Sequence, residues 1–191
     1  MKYLLAKAQL FMDKFRSYKL PDNIPKDSKS FVRYAIIPVE RGLNLIRSNP
    51  YNYFDWHIGK LRVIYSNSDR KLNINGYKIK ISSKRLQCFL EKGLTCNFCS
   101  KKASYFVLEK LKKDELDLSI SPHLNAYHLS DDGIETLMTC DHIIPLSKNG
   151  KNYIDNMQTL CYPCNNKKGD KMPDELQKEL GALCENKGNY D

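Results

Sequence analysis

The chain has no long uninterrupted apolar stretch. Its opening, MKYLLAKAQLFMDKFRSYKLP, carries lysine or arginine at positions 2, 7, 14, 16 and 19. That spacing suits neither a signal peptide nor a membrane span, so no membrane partner is expected and a cytoplasmic setting is. No internal repeat and no low-complexity tail is visible, which removes solenoid and fibrous architectures from consideration. With no export signal, the seven cysteines argue against a disulfide framework, because a reducing cytoplasm keeps thiols free. Metal binding is then the first use to test.

Acidic residues are scarce in one half only. Residues 1–85 hold 18 Lys and Arg against 6 Asp and Glu, whereas residues 86–191 hold 13 against 16. The overall formal charge of +9 is therefore wholly N-terminal. Such an excess favours a polyanionic partner, since each neutralised phosphate releases condensed counterions, and nucleic acid is the leading candidate. A solvated lysine-rich surface would give the same count. A chain of 191 residues has room for at most two compact units.

Along the chain, Leu4, Leu5, Ala8, Phe11, Met12 and Phe15 recur at helical spacing, which predicts an amphipathic helix ending near Pro21. The turn-rich PDNIPKDSKS (21–30) reads as a loop, and a second helix is predicted from Pro38 through Val39, Leu43 and Ile46. YNYFDWHIGK (51–60) crowds four aromatics beside basic residues, a pattern of core anchors more often than of base-stacking platforms. From Leu61 the period falls to two: LRVIYS, KLNI, Asn75-Gly76 and YKIKI predict strands with a hairpin at the Asn-Gly turn. Ser82 or Ser83 can cap a short helix, KRLQCFLEK, that stops at Gly93. ASYFVLEKL, LNAYHLS and IETLMT predict an antiparallel β insertion, and a last helix is expected between Pro173 and Gly181.

Cys96-Asn-Phe-Cys99 and Cys161-Tyr-Pro-Cys164 are two C-x2-C knuckles. Each can supply two corners of a tetrahedron around Zn²⁺, and four thiolates close the shell, so the expected zinc is structural. A redox motif would explain one pair only, and cysteines used as small core residues would explain neither spacing. Cys88, Cys140 and Cys184 have no matching partners and read as free, mostly buried thiols. His57, His123 and His128 lack any comparable setting.

The run TCDHIIPLSKNGKNYIDNMQTLCYPCNNKKGD (139–170) resembles the HNH endonuclease family, especially small proteins of phages and bacteria. The resemblance rests on D-H-I-I-P at 141–145, a Lys/Asn/Gly-rich loop, D-N-M-Q-T-L-C at 155–161 and C-x2-C-N-x2-K-G at 161–169. It implies an α+β protein with a ββα-metal nuclease core and four-cysteine zinc knuckles in residues 86–191, plus a basic N-terminal α/β accessory region in residues 1–85. It further implies that Asp141 and His142 end the first strand, Asn156 lies in the loop before the second and Asn165 opens the helix. The family often has histidine at that last position, so this is an H-N-N variant; Asn166 competes with Asn165 for the role.

That resemblance implies a chemistry as well. Hydrolysis of a phosphodiester needs a base to activate water and a cation to neutralise developing charge. A histidine with an ordinary pKa of about 6.5 is a fitting base, which assigns His142, while Asp141 and Asn165 would hold one Mg²⁺ or another divalent ion. Asn156 would latch the loop through backbone hydrogen bonds. Lys167 and Lys168 would contact phosphate, or else form a solvated helix face. Because adjacent strand residues point to opposite faces, Asp141 and His142 can serve together only where the strand ends or bends. The implied function is DNA cleavage; the alternative is a zinc-stabilised nucleic-acid-binding protein without catalysis.

Overall fold

The computed structural model describes residues 20–25, 28–47, 56–58, 61–66, 71–74 and 77–176. The expected first helix, most of the 51–60 aromatic segment, Cys184 and the C-terminal helix beyond residue 176 lie outside these. The chain forms two compact units, each made from two stretches: Met1–Ser82 with Ala103–Glu135, and Ser83–Lys102 with Thr136–Asp191. A single boundary at residue 85 would have kept residues 103–135 with the second unit. They belong to the first because their strands complete a sheet begun upstream. Among the described residues no helix is long and apolar enough to cross a membrane.

In the first unit, β1 (Phe31–Pro38) pairs antiparallel with β6 (Tyr105–Leu111), which pairs antiparallel with β7 (His123–Leu129). Sequence reading did not foresee β1, although FVRYAIIP is rich in aromatic and β-branched residues that suit a pleated strand. Pro38 closes the strand opposite Tyr105 and at once precedes α1 (Val39–Arg47), using its fixed φ and absent N–H at a junction where neither is a handicap. The helix buries Gly42, Leu45 and Ile46, one face at i, i+3, i+4. Gly42 sits so close to β6 that a Cβ there would lie 2.2 Å from Phe106 Cδ2.

Four further strands, β2 (Trp56–Ile58), β3 (Leu61–Ser66), β4 (Lys71–Ile74) and β5 (Tyr77–Lys80), form an antiparallel sheet in sequence order. Ile74 pairs with Tyr77, which leaves the two-residue Asn-Gly connection that the sequence predicted.

The central strand β6 is buried from Tyr105 to Lys110 on both faces, including two charged residues that must therefore be paired. Lys110 Nζ donates to the Asp117 backbone oxygen at 2.6 Å. Glu109, fully buried, accepts from Asn125 Nδ2 at 2.7 Å and from the Tyr127 hydroxyl, and faces Arg33 Nε at 3.4 Å. Arg33 in turn makes a two-pronged pair with Glu135, at 2.9 and 2.7 Å, and Glu135 also accepts from the Tyr105 hydroxyl. Burial would lower the proton affinity of the guanidinium, but hydrogen bonding to Glu135 and the charges of Glu135 and Glu109 raise it. Burial, followed by these same carboxylates, pushes both phenols well above their usual range.

In the second unit, α2 (Lys84–Lys92) begins at Ser83, whose Oγ accepts from Leu86 N at 3.3 Å, and ends at Gly93 with φ +81°. It buries Leu86, Cys88 and Phe89. The strand β8 (Glu135–His142), whose residues from Thr136 onward belong to this unit, pairs antiparallel with β9 (Met157–Cys161), with Asp141 opposite Gln158 and His142 opposite Met157. Directly after β9 comes α3 (Tyr162–Lys168), with Pro163 in its first turn. Helices, antiparallel strands and a four-cysteine cluster make the mixed α and β composition that the sequence implied.

Candidate active site

The two knuckles meet. The sulfurs of Cys96, Cys99, Cys161 and Cys164 all lie within 4.8 Å of one another, and Cys99 Sγ is 3.5 Å from Cys161 Sγ. A tetrahedral shell with Zn–S bonds near 2.3 Å sets its sulfurs about 3.8 Å apart, so the cluster fits zinc in size as well as in donor type. The first knuckle is shaped by Ser100, whose φ is +59°, and by its N–H donating to Cys96 O at 3.0 Å. It is tied to β9 through Asn97 N donating to Thr159 O, also at 3.0 Å. The second knuckle is the start of α3 itself.

The charge balance of the cluster points to a cation. Burial opposes ionisation of Cys96, yet backbone hydrogen bonds at Cys99, Cys161 and Phe98 bring it down to about 7. Burial, hydrogen bonding and the nearby sulfur charges then hold Cys164 far above the ordinary thiol range, and burial raises Cys161. A divalent cation among these sulfurs would compensate thiolate charge that burial opposes at Cys161 and Cys164.

Behind the knuckles lies the segment with the acid and the histidine. Alternation along β8 sorts its side chains into two faces. Thr139 and Asp141 meet α3: Asn165 Nδ2 donates to Thr139 Oγ1 at 3.1 Å, and Lys168 Nζ stands 2.8 Å from Asp141 Oδ2. Asn165 and Lys168 are three apart on the helix, hence on one face, as Thr139 and Asp141 are two apart on the strand. Gln158 Nε2 also reaches Asp141 Oδ2, at 3.4 Å, and Gln158 Oε1 accepts from Asn97 Nδ2 at 3.3 Å. Cys140, on the other face, shares a thiol hydrogen bond with Cys88 of α2, which raises the Cys140 thiol and lowers that of Cys88; both cysteines are free.

His142 is the last residue of β8. Its Nε2 lies 3.2 Å from Asn152 Oδ1; with that oxygen as acceptor, a neutral ring carries its proton on Nε2 and leaves Nδ1 basic. The chain then turns through residues 143–156, a loop closed by Asn156. Its Oδ1 accepts from Ile144 N, and its Nδ2 donates to the oxygens of Ile144 and Lys151, each at 2.9 Å. Its backbone oxygen accepts from Ile143 N at 2.8 Å. Inside the loop, Gly150 packs so tightly that a Cβ would fall 1.9 Å from the Ile144 oxygen.

The structure thus brings Asp141 and Asn165 to one strand face and puts Asn156 under the loop that follows His142. Asn166 and Lys167 are exposed. Lys168 differs from its sequence reading: its side chain is 1% exposed and lies on Asp141, so in this conformation it neither forms a solvated face nor offers its ammonium to an external phosphate. His123 and His128 lie on β7, in the first unit. Sequence reasoning missed Asn152, Gln158 and the inward turn of Lys168. The three-residue spacing from Asn165 puts both side chains on one face of α3 but does not say which way that face turns.

Residues 128–171, under a quarter of the chain, match the family model described as HNH endonuclease. The match holds Asp141, His142, Asn156, Asn165 and the second knuckle, and it indicates nuclease activity in general. No curated protein and no solved structure matches the chain.

Proposed function

We propose that the protein is a metal-dependent DNA endonuclease whose catalytic core is β8, β9 and α3, arranged as a ββα-metal unit on a Cys96–Cys99–Cys161–Cys164 zinc frame. The observation that carries this reading is the meeting of the Asp141 strand face with Asn165 of α3, inside the segment that matches the family.

The donors fit a hard divalent ion of the Mg²⁺ class. Asp141 offers a carboxylate, and Asn165, its amide nitrogen occupied by Thr139, has its carbonyl oxygen left to ligate. Such an ion supplies neutralisation of charge on the phosphate and on the departing oxygen. His142 Nδ1 takes a proton from the attacking water while Nε2–H stays on Asn152; the water oxygen bonds phosphorus, and one ester oxygen leaves with the bonding pair and takes a proton from solvent. Asn156 keeps the loop, and with it the ring, in place. The basic residues 1–85 supply affinity for the polyanionic substrate, and exposed Lys167 is positioned for phosphate contact.

His142→Ala is the direct test. The variant is expected to lose Mg²⁺-dependent nicking of plasmid DNA while retaining zinc and DNA binding. A second reading, a zinc-stabilised nucleic-acid-binding protein without catalysis, draws on one observation, the Lys168 ammonium lying where a metal ligand is proposed. Wild-type protein that cuts no DNA under any divalent ion would overturn the enzyme reading, and DNA binding by that zinc-loaded protein would then support the second.

A further inference from the structure

Lys168 is a charged side chain that the nuclease reading does not use, buried where burial is expensive. Among the described residues its Nζ has no hydrogen-bond acceptor at proper angle, and its one charge partner there is Asp141 Oδ2 at 2.8 Å. An ammonium withdrawn from water and left without hydrogen bonds costs stability even beside a carboxylate, so packing elsewhere must offset that cost and fix the group in place. Here the fixing element is α3, which starts at Cys161 and Cys164 and carries Asn165 and Lys168 on one face.

We infer that Lys168 is a built-in counter-ion that keeps divalent-metal affinity low until DNA is bound. This rests on the assignment of Asp141 and Asn165 as metal ligands. Of that donor set only Asp141 is charged, and Lys168 cancels its charge. A divalent ion approaching the free protein meets a neutral pair and a neutral carboxamide, with a fixed positive charge beside its carboxylate ligand. The phosphodiester of bound DNA brings the missing negative charge, so metal and DNA bind each other's complexes more tightly than either binds alone, and the coupling is reciprocal. Lys168 is thereby a positioning residue: it acts on the ion through Asp141 and touches no reacting atom.

Mn²⁺ binding to the full-length, zinc-loaded protein without DNA, followed by the loss of the free-ion paramagnetic resonance signal, tests this without any reading of cleavage. Lys168→Met and Lys168→Gln, which remove the charge, are expected to bind Mn²⁺ at least tenfold more tightly than wild type, about 1.4 kcal/mol. Lys168→Arg, which keeps the charge, should remain within threefold of wild type. Asp141→Asn should abolish the binding in every background. Uncharged variants that bind no more tightly, while binding still depends on Asp141, overturn the counter-ion role and leave the metal site standing. Binding indifferent to Asp141→Asn in every background overturns the metal site itself. Should the uncharged variants fail to fold, as judged by zinc content and melting, the His142→Ala protein supplies the decision. Its Mn²⁺ affinity must tighten at least tenfold when a short duplex is added, after correction for ion held by the duplex alone. An affinity unchanged by DNA overturns the proposal.

Discussion

Asn156 uses its amide nitrogen twice and its carbonyl oxygen once on the backbone of a single loop, so replacing it with alanine removes three hydrogen bonds. Asn156→Ala is expected to cost roughly 1–3 kcal/mol in folding stability and to lower the rate of cleavage far more than it weakens DNA binding, because His142 leads directly into that loop. Denaturant unfolding and single-turnover cleavage, measured on one preparation, check both parts; a variant with unchanged cleavage would detach the loop from catalysis. Where Asp141, His142, Asn156 and Asn165 lie on strand, loop and helix was legible in the sequence because the motif fixes their order and spacing; their roles belong to the proposal. Lys168 and Gln158 were not. Which face of α3 and which face of β9 turn toward Asp141 depends on the packing of helix on strand, and the motif's spacing carries no such information.

At the scale of elements, β1 was the main omission. Its alternation is broken by a register shift between Arg33 and Ala35, so a period-two reading finds no clean strand there, and Pro38 draws attention to the helix that follows it. The helix α1 and the hairpin at Asn75-Gly76 were legible because their signals are local: apolar spacing and a turn dipeptide. The pairing of β1 with β6 joins distant parts of the chain, and its strongest clue, the buried charge of Arg33 against Glu109 and Glu135, appears only once the strands are side by side. Breaking a buried pair by removing one partner leaves the other uncompensated. Arg33→Ala should therefore destabilise the first unit by about 3–5 kcal/mol, read from the shift in denaturant midpoint. A loss under about 1 kcal/mol would mean that water replaces the guanidinium freely. Gly42→Ala is expected to destabilise the same unit, although alanine favours helix, because its methyl would enter the Phe106 ring; a stabilised variant would show that β6 yields to it.

For the whole molecule, two kinds of charge are at issue: the thiolates that the proposed zinc would compensate and the basic excess that a polyanion would compensate. The four-cysteine cluster joins the knuckle after α2 to the junction of β9 and α3, so a zinc ion held there, as proposed, would fix the position of α3 and with it Asn165 and Lys168. Chelation of zinc, or Cys96→Ser with Cys161→Ser, is expected to release the amide protons of β9 and α3 to exchange while β1, β6 and β7 keep theirs, since those strands belong to the other unit. Equal loss of protection in both units would show that they fold as one. The basic excess calls for a different cut. Removing residues 1–60 would take β1 and α1 away from β6, so weaker DNA binding by that fragment would report misfolding. Removing residues 1–19, which carry five Lys and Arg against one Asp, spares every described element. If those charges meet phosphates, the slope of log K against log salt should become shallower by about 0.9 for each phosphate no longer neutralised. A slope that stays the same while affinity also stays the same would assign the DNA-gripping charges to residues 20–85 or to the nuclease unit, and would reduce the N-terminal basic residues to a solvated surface.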